Sequence, residues 1–270
     1  MGRIKKIFFT DLSSNQSISV TGSGCALNCR HCNKKFLKPM SGFADGIKPG
    51  VRSILISGGC DDQGKVPVLR FAKEIKKLKS KYKINTHVGL VSQAEAKKIA
   101  GLVDIVSFDF VTEQKIIKEV YNLNKKLVDY YESLTALQKE VSIFPHITLG
   151  LWQGEISWEY QAVELLVKKF NCQKVVFNVF LPIPGTELSQ QKSPLIESVE
   201  KFFYYLEKNY PKLDKRLGCM RPGGQYRDQL DKLAVLTGFK VITRPSRQAV
   251  KLAKNLGYQI FWQGQCCVFT

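Results

Sequence analysis

The sequence predicts an α/β fold, a (β/α)8 barrel of the TIM-like type. Strand-like apolar runs alternate with segments of helical periodicity along the 270 residues, and this alternation is typical of parallel α/β proteins. The length suits one large domain, so we expect residues 1–270 to form a single barrel domain. Such barrels carry their chemistry at the carboxyl ends of the strands, so the residues that follow each run are the candidates for function.

Eight strands and the helices between them are predicted from the pattern. Ser92 and Glu95 form a capping-box pattern that marks the start of one helix. The tail 258–270 lies beyond the eighth strand–helix unit, and we expect it to fold back over the barrel mouth. Strands are predicted at residues 17–21, 53–57, 84–91, 104–111, 144–151, 174–181, 216–220 and 240–243, and further helices at 66–82, 125–141, 158–170 and 195–210.

The net charge of +18 predicts an anionic partner, since 41 Lys and Arg face only 23 Asp and Glu. An acidic protein and a nucleic acid are both compatible with this charge, and a solvated lysine-rich surface is the alternative. The Lys-Lys pairs are spread along the chain rather than gathered in one arm, which makes nucleic acid the weaker choice.

Cysteine usage and the first residues bear on the compartment. Eight cysteines are too few for a disulfide scaffold of this length. Residues 1–10 carry only a short apolar run, and no stretch approaches a membrane span. We therefore expect a cytoplasmic protein whose thiols stay reduced and available to iron.

Cys25, Cys29 and Cys32 form a CxxxCxxC loop directly after the first predicted strand. Three neighbouring thiolates suit a 4Fe-4S cluster that leaves one iron open to the amine and carboxylate of S-adenosyl-L-methionine (SAM). A structural zinc site is the alternative, but no further Cys or His pair follows at the spacing that zinc requires. The loop resembles that of the radical SAM superfamily, in which an aromatic residue usually stands at the position of His31. By this resemblance the His31 ring packs against the adenine.

Two further strand ends offer contacts to SAM. Gly58 and Gly59 stand where the superfamily carries a Gly-Gly-Glu motif that binds the SAM ammonium, and glycine allows the main chain to approach a ligand. Cys60 replaces the glutamate, which places a thiolate near the reacting centre. Asp109 ends the fourth predicted strand and can accept hydrogen bonds from a ribose diol; a loop cap is its alternative role.

Later strand ends complete the predicted SAM site. The segment 150–155 resembles the glycine-containing adenine-binding segment of the superfamily, and its Trp152 would cover the purine unless it is a core aromatic. Asn178 begins a segment, 178–187, that resembles biotin synthase-like proteins, where it would bind the SAM carboxylate or ribose.

The remaining cysteines predict a second, auxiliary 4Fe-4S cluster. Cys60 and Cys219 follow strands, and Cys266-Cys267 lie in the tail expected to cover the same place. Adjacent residues of an extended chain point in opposite directions, so one of the pair would ligate, with Arg221, Arg244 or Ser246 in support. Small buried apolar side chains are the alternative role for these cysteines.

Taken with 182–186, 217–222 and Cys266-Cys267, these motifs resemble the biotin synthetase homologue group, one component of the bipartite lipoyl synthase. The resemblance implies a barrel of the radical SAM type and a sulfurtransferase in which Cys60 and Cys219 hold the sulfur-donating cluster. Its substrate would be an octanoyl chain on a lysine of an acidic carrier, a lipoyl domain or glycine-cleavage H protein. A sister radical SAM component and an electron donor such as ferredoxin are the other implied partners. Another radical SAM enzyme, for RNA modification or a mutase reaction, and a non-enzymatic zinc or nucleic-acid-binding protein are the alternatives.

Overall fold

The structure is a computed structural model that describes residues 5–270. It divides into two compact units that both alternate strands and helices. The first unit comprises residues 5–13, 146–181 and 191–270, and the second comprises 14–145 and 182–190. The single barrel domain expected from the length stays a prediction.

The described residues contain ten strands and seven α-helices. The strands are β1 Lys6–Thr10, β2 Asn15–Ser19, β3 Ser53–Ser57, β4 Lys83–His87, β5 Ile105–Asp109, β6 Ser142–Leu149, β7 Lys174–Val179, β8 Asp214–Leu217, β9 Val241–Thr243 and β10 Gln259–Gln263. The helices are α1 Ala72–Lys79, α2 Gln93–Ala100, α3 Leu127–Glu140, α4 Trp158–Glu164, α5 Ile196–Asn209, α6 Gly224–Leu236 and α7 Arg247–Asn255.

The second unit carries four parallel strands in the order β2-β3-β4-β5. Ile54, Ile84 and Val106 are fully buried on successive strands, so branched apolar side chains form its core. Ser92 caps α2 as expected, since its side chain accepts a hydrogen bond from the Glu95 amide and the Glu95 carboxylate accepts one from the Ser92 amide. Because the strands are parallel, the residues after β2, β3 and β5 share one edge of this sheet.

The first unit orders its parallel strands β10-β1-β9-β8-β7-β6. β1 lies between β9 and β10, with Phe8 opposite Val241 on one side and Phe261 on the other. A cluster of aromatic rings fills the space under β7, where the Phe177 ring centroid is 5.8 Å from those of Phe202 and Phe239.

The predicted TIM-like α/β class is confirmed, and each of the eight predicted strands is present with ends that differ by up to four residues. Two strands were missed. β1 was hidden because its short apolar run stands beside basic residues, and β10 because it lies in the stretch interpreted as a covering tail. The helix expected at 158–170 is α-helical only to Glu164 and continues as a π-helical turn, Leu165–Lys169.

Among residues 5–270 we find no helix with the length and hydropathy of a membrane span.

Candidate functional site

The CxxxCxxC loop follows β2 as a series of tight turns in the second unit. The Cys32 amide donates to the Cys29 carbonyl at 3.1 Å, and the Asn33 amide donates to the same oxygen at 2.9 Å. Asn28 and Asn33 adopt left-handed backbone angles, which asparagine tolerates and which tighten the turn. All three cysteines are half-buried, so the loop presents its thiols at a partly solvated surface.

A second segment of the same unit anchors this loop. The π-helical turn Ile116–Val120 and the residues after it supply main-chain acceptors: the Arg30 amide donates to the Val120 carbonyl at 2.8 Å, and the Cys29 thiol donates to the Tyr121 carbonyl at 3.4 Å. In return the Asn122 side chain donates to the Leu27 carbonyl at 3.1 Å. The loop is therefore fixed at three points along its length.

Gly59, at the end of β3, makes the closest approach to the loop. A Cβ at this position would lie 2.0 Å from the Gly24 carbonyl oxygen and 2.4 Å from the Cys25 Cβ, so no other residue fits. The Gly59 amide donates to the Thr21 hydroxyl at 2.7 Å, and the Ala26 amide donates to the Cys60 carbonyl at 2.8 Å. Glycine is required at residue 59 because the main chain there approaches the cysteine loop, whereas the sequence pattern had indicated an approach to a ligand. The contact of Gly58 and Gly59 with SAM stays a prediction.

The thiols of this region interact with one another. A hydrogen bond between the Cys29 and Cys32 side chains raises the pKa of Cys29 and lowers that of Cys32. Burial, followed by the neighbouring Cys25 and Asp109, raises the pKa of Cys60 to about 12. Cys60 therefore lies among the groups of the CxxxCxxC loop, in the second unit.

Near the thiols lie an uncharged histidine and two buried phenols. Burial lowers the pKa of His31 to about 4 although Asp109 opposes the shift, and the His31 Nδ1 atom is buried without a hydrogen-bond partner. The His31 ring centroid is 5.5 Å from that of Tyr121. Burial, followed by the charge of Asp109, raises the pKa of both Tyr121 and Tyr130. Asp109 itself is exposed at the end of β5, where a ligand hydroxyl can reach it. Sequence reasoning missed the two tyrosines because no spacing links them to the cysteines.

The three cysteine thiols of the loop are the type of ligand that an iron–sulfur cluster requires, and they lie together on a fixed main chain. Cys29 and Cys32 are hydrogen-bonded to each other, and within residues 5–270 no group of three or more His, Cys, Asp or Glu side chains is arranged to hold a metal ion. Cluster binding therefore requires the thiols to rotate and lose their protons, while the main chain can stay in place.

A second group of thiols lies in the first unit. Cys219 follows β8, and Cys266 and Cys267 follow β10. The Cys266 side chain is hydrogen-bonded to that of Cys267, and Cys266 also interacts with Cys219. The sequence predicted that the adjacent pair would point in opposite directions. Residues 266–269 form a turn, closed by the Phe269 amide on the Cys266 carbonyl at 3.0 Å, rather than an extended strand, and which of the two thiols would ligate stays a prediction.

A buried ion pair fixes the loop that carries Cys219. Arg221 and Asp231 are both fully buried, with Nε and Oδ1 2.9 Å apart. Arg221 also donates to the Gly218 carbonyl at 2.6 Å and to the Thr243 carbonyl at 2.6 Å, and Asp231 accepts the Ser246 amide at 2.8 Å. Arg221 and Ser246 are thereby committed to protein groups and hold the loop in place.

Asn178 lies against the same loop. A Cβ at residue 218 would lie 2.1 Å from the Asn178 Oδ1 atom, so Gly218 leaves the space that the buried amide fills. The structure thus brings Asn178 beside the residue that precedes Cys219, and its predicted contact with SAM stays a prediction.

The loop after β6 carries Trp152, which is half-buried. Gly150 and Gly154 have φ angles of 71° and 76°, which explains both glycines. Glu159 holds the loop from the start of α4: its carboxylate is fully buried and accepts the Gly150 and Ser157 amides, each at 2.8 Å. Sequence reasoning missed Glu159, although an acidic residue in the first turn of a helix is a signal for such bonding to main-chain amides.

Gly59→Ala should destabilise the second unit, because the added methyl group overlaps the Gly24 carbonyl and overpacking of this kind costs about 1–3 kcal/mol. Urea denaturation followed by far-UV circular dichroism measures the change. Gly101→Ala is the control, since its Cβ would be 3.6 Å from the Lys98 carbonyl oxygen in a helical backbone. Equal midpoints for the two variants would contradict the close approach.

Glu159 should make stability depend on pH, because burial raises its pKa from 4.5 to about 7. Between these values the folded protein keeps a proton that the unfolded chain has lost, so stability falls as the pH rises from about 4.5 to about 7, by at most about 3 kcal/mol. Glu159→Gln should flatten this part of the curve measured by urea denaturation. Glu164→Gln, at an exposed carboxylate of the same helix, should leave the slope as it is; a Glu159→Gln curve parallel to wild type would refute the assignment.

No protein-family model and no curated protein sequence matches the chain. Among solved structures, methylornithine synthase (PylB) matches with a TM-score of 0.66 and 14% identity over 95% of this chain and 84% of that one. SuiB of Streptococcus suis bound to S-adenosylmethionine matches with a TM-score of 0.55 and 11% identity, over 87% of this chain and 58% of that one. An HMG-CoA lyase of Acenitobacter baumannii in complex with coenzyme A and 3-methylmalate matches with a TM-score of 0.55 and 10% identity, over 98% of this chain and 88% of that one. The chain therefore shares its α/β fold with methylornithine synthase, with SuiB and with this lyase.

Proposed function

We propose that this protein is a radical SAM enzyme in which Cys25, Cys29 and Cys32 hold a 4Fe-4S cluster. The observation that carries the proposal is the position of the three thiols, on a loop at the carboxyl end of β2 fixed against Gly59 at the end of β3. When bound, the cluster and SAM supply the 5′-deoxyadenosyl radical that removes hydrogen from a substrate carbon.

The chain's own residues account for binding and orientation. Asp109 offers an exposed carboxylate to a ribose diol, and the uncharged His31 ring offers an apolar face to a purine. The half-buried loop leaves its thiols accessible to a cluster, and the half-buried Tyr121 and the buried Tyr130 beside them limit the access of water.

The fold alone does not select this chemistry, since HMG-CoA lyase shares it. The cysteine loop favours the radical enzyme over a lyase, and it favours iron over zinc because its CxxxCxxC spacing resembles that of the radical SAM superfamily and no Cys or His pair follows at the spacing of a zinc site. The likeness to a structure that contains S-adenosylmethionine supports the same choice.

Cys29→Ala should abolish iron binding at the loop and the reductive cleavage of SAM, because Cys29 is the central ligand of the three. Protein purified without oxygen and reconstituted with iron and sulfide should lose about four irons per chain relative to wild type. Iron analysis and the yield of 5′-deoxyadenosine under dithionite measure the two effects. Cys172→Ala, a buried cysteine of the first unit, should keep both, and a wild-type protein without iron or 5′-deoxyadenosine would refute the proposal.

We further propose the finer function of a sulfurtransferase that inserts sulfur into an octanoyl chain on a carrier-protein lysine. Support comes from the resemblance to one component of the bipartite lipoyl synthase and from the second thiol group, Cys219 with Cys266 and Cys267. An auxiliary 4Fe-4S cluster on these cysteines would supply the sulfur. Cys60, beside the first thiol group, remains a candidate for a catalytic thiolate.

The partners follow from charge and chemistry. A chain with a net charge of +18 suits an acidic lipoyl domain or H protein, whose acyl arm would reach the radical, and an acidic electron donor such as ferredoxin. A sister radical SAM component would insert the second sulfur. A cytoplasmic location would keep all eight thiols reduced.

A mutase is the second candidate, and the likeness to methylornithine synthase over 95% of the chain favours it. Such an enzyme rearranges a carbon skeleton and needs no second cluster. The two candidates therefore differ in the requirement for the second thiol group.

Cys219→Ala separates the candidates. For the sulfurtransferase it should remove about four irons per chain and all added sulfur, measured by mass spectrometry of an octanoylated H protein, while SAM cleavage persists. The Cys172→Ala protein again serves as control, and the sister component is added in parallel samples. Unchanged iron content in Cys219→Ala, together with a wild-type protein that cleaves SAM but adds no sulfur, would favour the mutase.

A further inference from the structure

Two buried polar side chains hold the main chain on both sides of Cys266. The Thr10 hydroxyl donates to the Gln265 carbonyl, and the Arg216 guanidinium donates to the Cys267 carbonyl. Both side chains belong to residues that are completely inaccessible to solvent. The two donors come from different strands, β1 and β8, so the turn with the cysteine pair is held from two directions.

We propose that Thr10 and Arg216 are positioning residues that set the Cys266-Cys267 turn against Cys219, so that the three-thiol group is assembled before any cofactor binds. The purpose assigned to this group, an auxiliary cluster, rests on the proposed sulfurtransferase function. The positioning itself rests only on contacts within the first unit.

Arg216 is bonded in a way that leaves it little freedom. Its Nε and one terminal nitrogen bind the two carboxylate oxygens of Asp214 at 3.0 and 2.8 Å, and this fixes the plane of the guanidinium. From that plane it reaches the Cys267 carbonyl and, at 3.3 Å, the Thr270 carbonyl. The arginine thus fixes the chain at two points, one of them at a cysteine.

A requirement for stability alone does not explain this arrangement. Burial of a charged side chain is expensive, and an apolar residue of similar volume is often as stabilising or more so. What an apolar residue does not offer is a directional donor for a main-chain carbonyl. The placement of both donors at carbonyls that flank Cys266 therefore indicates that the orientation of the cysteine turn is what they secure.

The surrounding register supports the same conclusion. Thr10 lies opposite Thr243 on β9 and Gln263 on β10, so the strand ends from which the turn departs are aligned with its anchor. The main chain of the turn is fixed, while the thiols of Cys266 and Cys267 are hydrogen-bonded to each other by side chains that can rotate toward a metal.

The test is residue-resolved alkylation of the metal-free, reduced protein with N-ethylmaleimide, read by mass spectrometry. The rate at Cys267 is divided by the rate at Cys172, a buried cysteine of the same unit that reports its general opening. Arg216→Met should raise this ratio at least about tenfold, the factor that corresponds to about 1.4 kcal/mol of a lost hydrogen bond to a charged group.

Lys215→Met is the matched control. Lys215 is the neighbouring residue on β8, is also buried, and donates to the Thr237 carbonyl at 2.6 Å rather than to the cysteine turn. Its loss should leave the ratio near the wild-type value. An unchanged ratio in Arg216→Met, or an equal rise in Lys215→Met, would overturn the proposal.

If Arg216→Met does not fold, two variants of Thr10 test the same proposal. Thr10→Val keeps the volume and removes the hydroxyl, so the ratio at Cys266 and Cys267 should rise several-fold, whereas Thr10→Ser keeps the donor and should stay near wild type. Equal ratios for these two variants would also overturn the proposal.

Iron content after reconstitution distinguishes the positioning from the function. Arg216→Met should lose about four irons per chain and the spectroscopic signal of the second cluster, with the first cluster retained. Wild-type protein with only one cluster, but with the labelling pattern above, would refute the auxiliary cluster and leave the positioning established.

Discussion

The approach of the Gly59 main chain to the CxxxCxxC loop is the contact on which the site depends. The Gly24 carbonyl and Cys25 occupy the volume that any side chain at residue 59 would need, so the end of β3 and the loop after β2 pack main chain against main chain. Hydrogen bonds from Gly59 to Thr21 and from Ala26 to Cys60 complete the contact. A parallel sheet makes this possible because it delivers both strand ends to one edge.

The two thiol groups are held in place by different kinds of interaction. The CxxxCxxC loop is fixed by uncharged hydrogen bonds to main-chain carbonyls such as those of Val120 and Tyr121, and the charge of the Asp109 carboxylate acts on Cys60 and His31. The group around Cys219 is flanked by buried guanidinium groups, each paired with a carboxylate. Burial, followed by the neighbouring Cys266, raises the pKa of Cys219, and Arg221 and Arg244 oppose the shift, so the arginines offset only part of the cost of a thiolate at this position.

Local patterns in the sequence predicted much of this protein, and non-local pairings account for what they missed. The bounds of β3, the cap at Ser92 and the cysteine loop follow from neighbouring residues. β1 and β10 become strands by pairing with each other across nearly the whole chain, and no local periodicity records that. The direction of the Cys266-Cys267 thiols likewise depends on a turn rather than on the alternation of a strand.

The pairing of β1 with β10 has a consequence for biogenesis. β1 can pair with β10 only after residue 259 has been synthesised, so this strand pair of the first unit forms when translation is almost finished. Most of the second unit, residues 14–145, is contiguous and emerges from the ribosome early. We expect the CxxxCxxC loop to be folded during synthesis and the cysteine turn to be completed afterwards, which would make metal loading of this chain a stepwise, post-translational event.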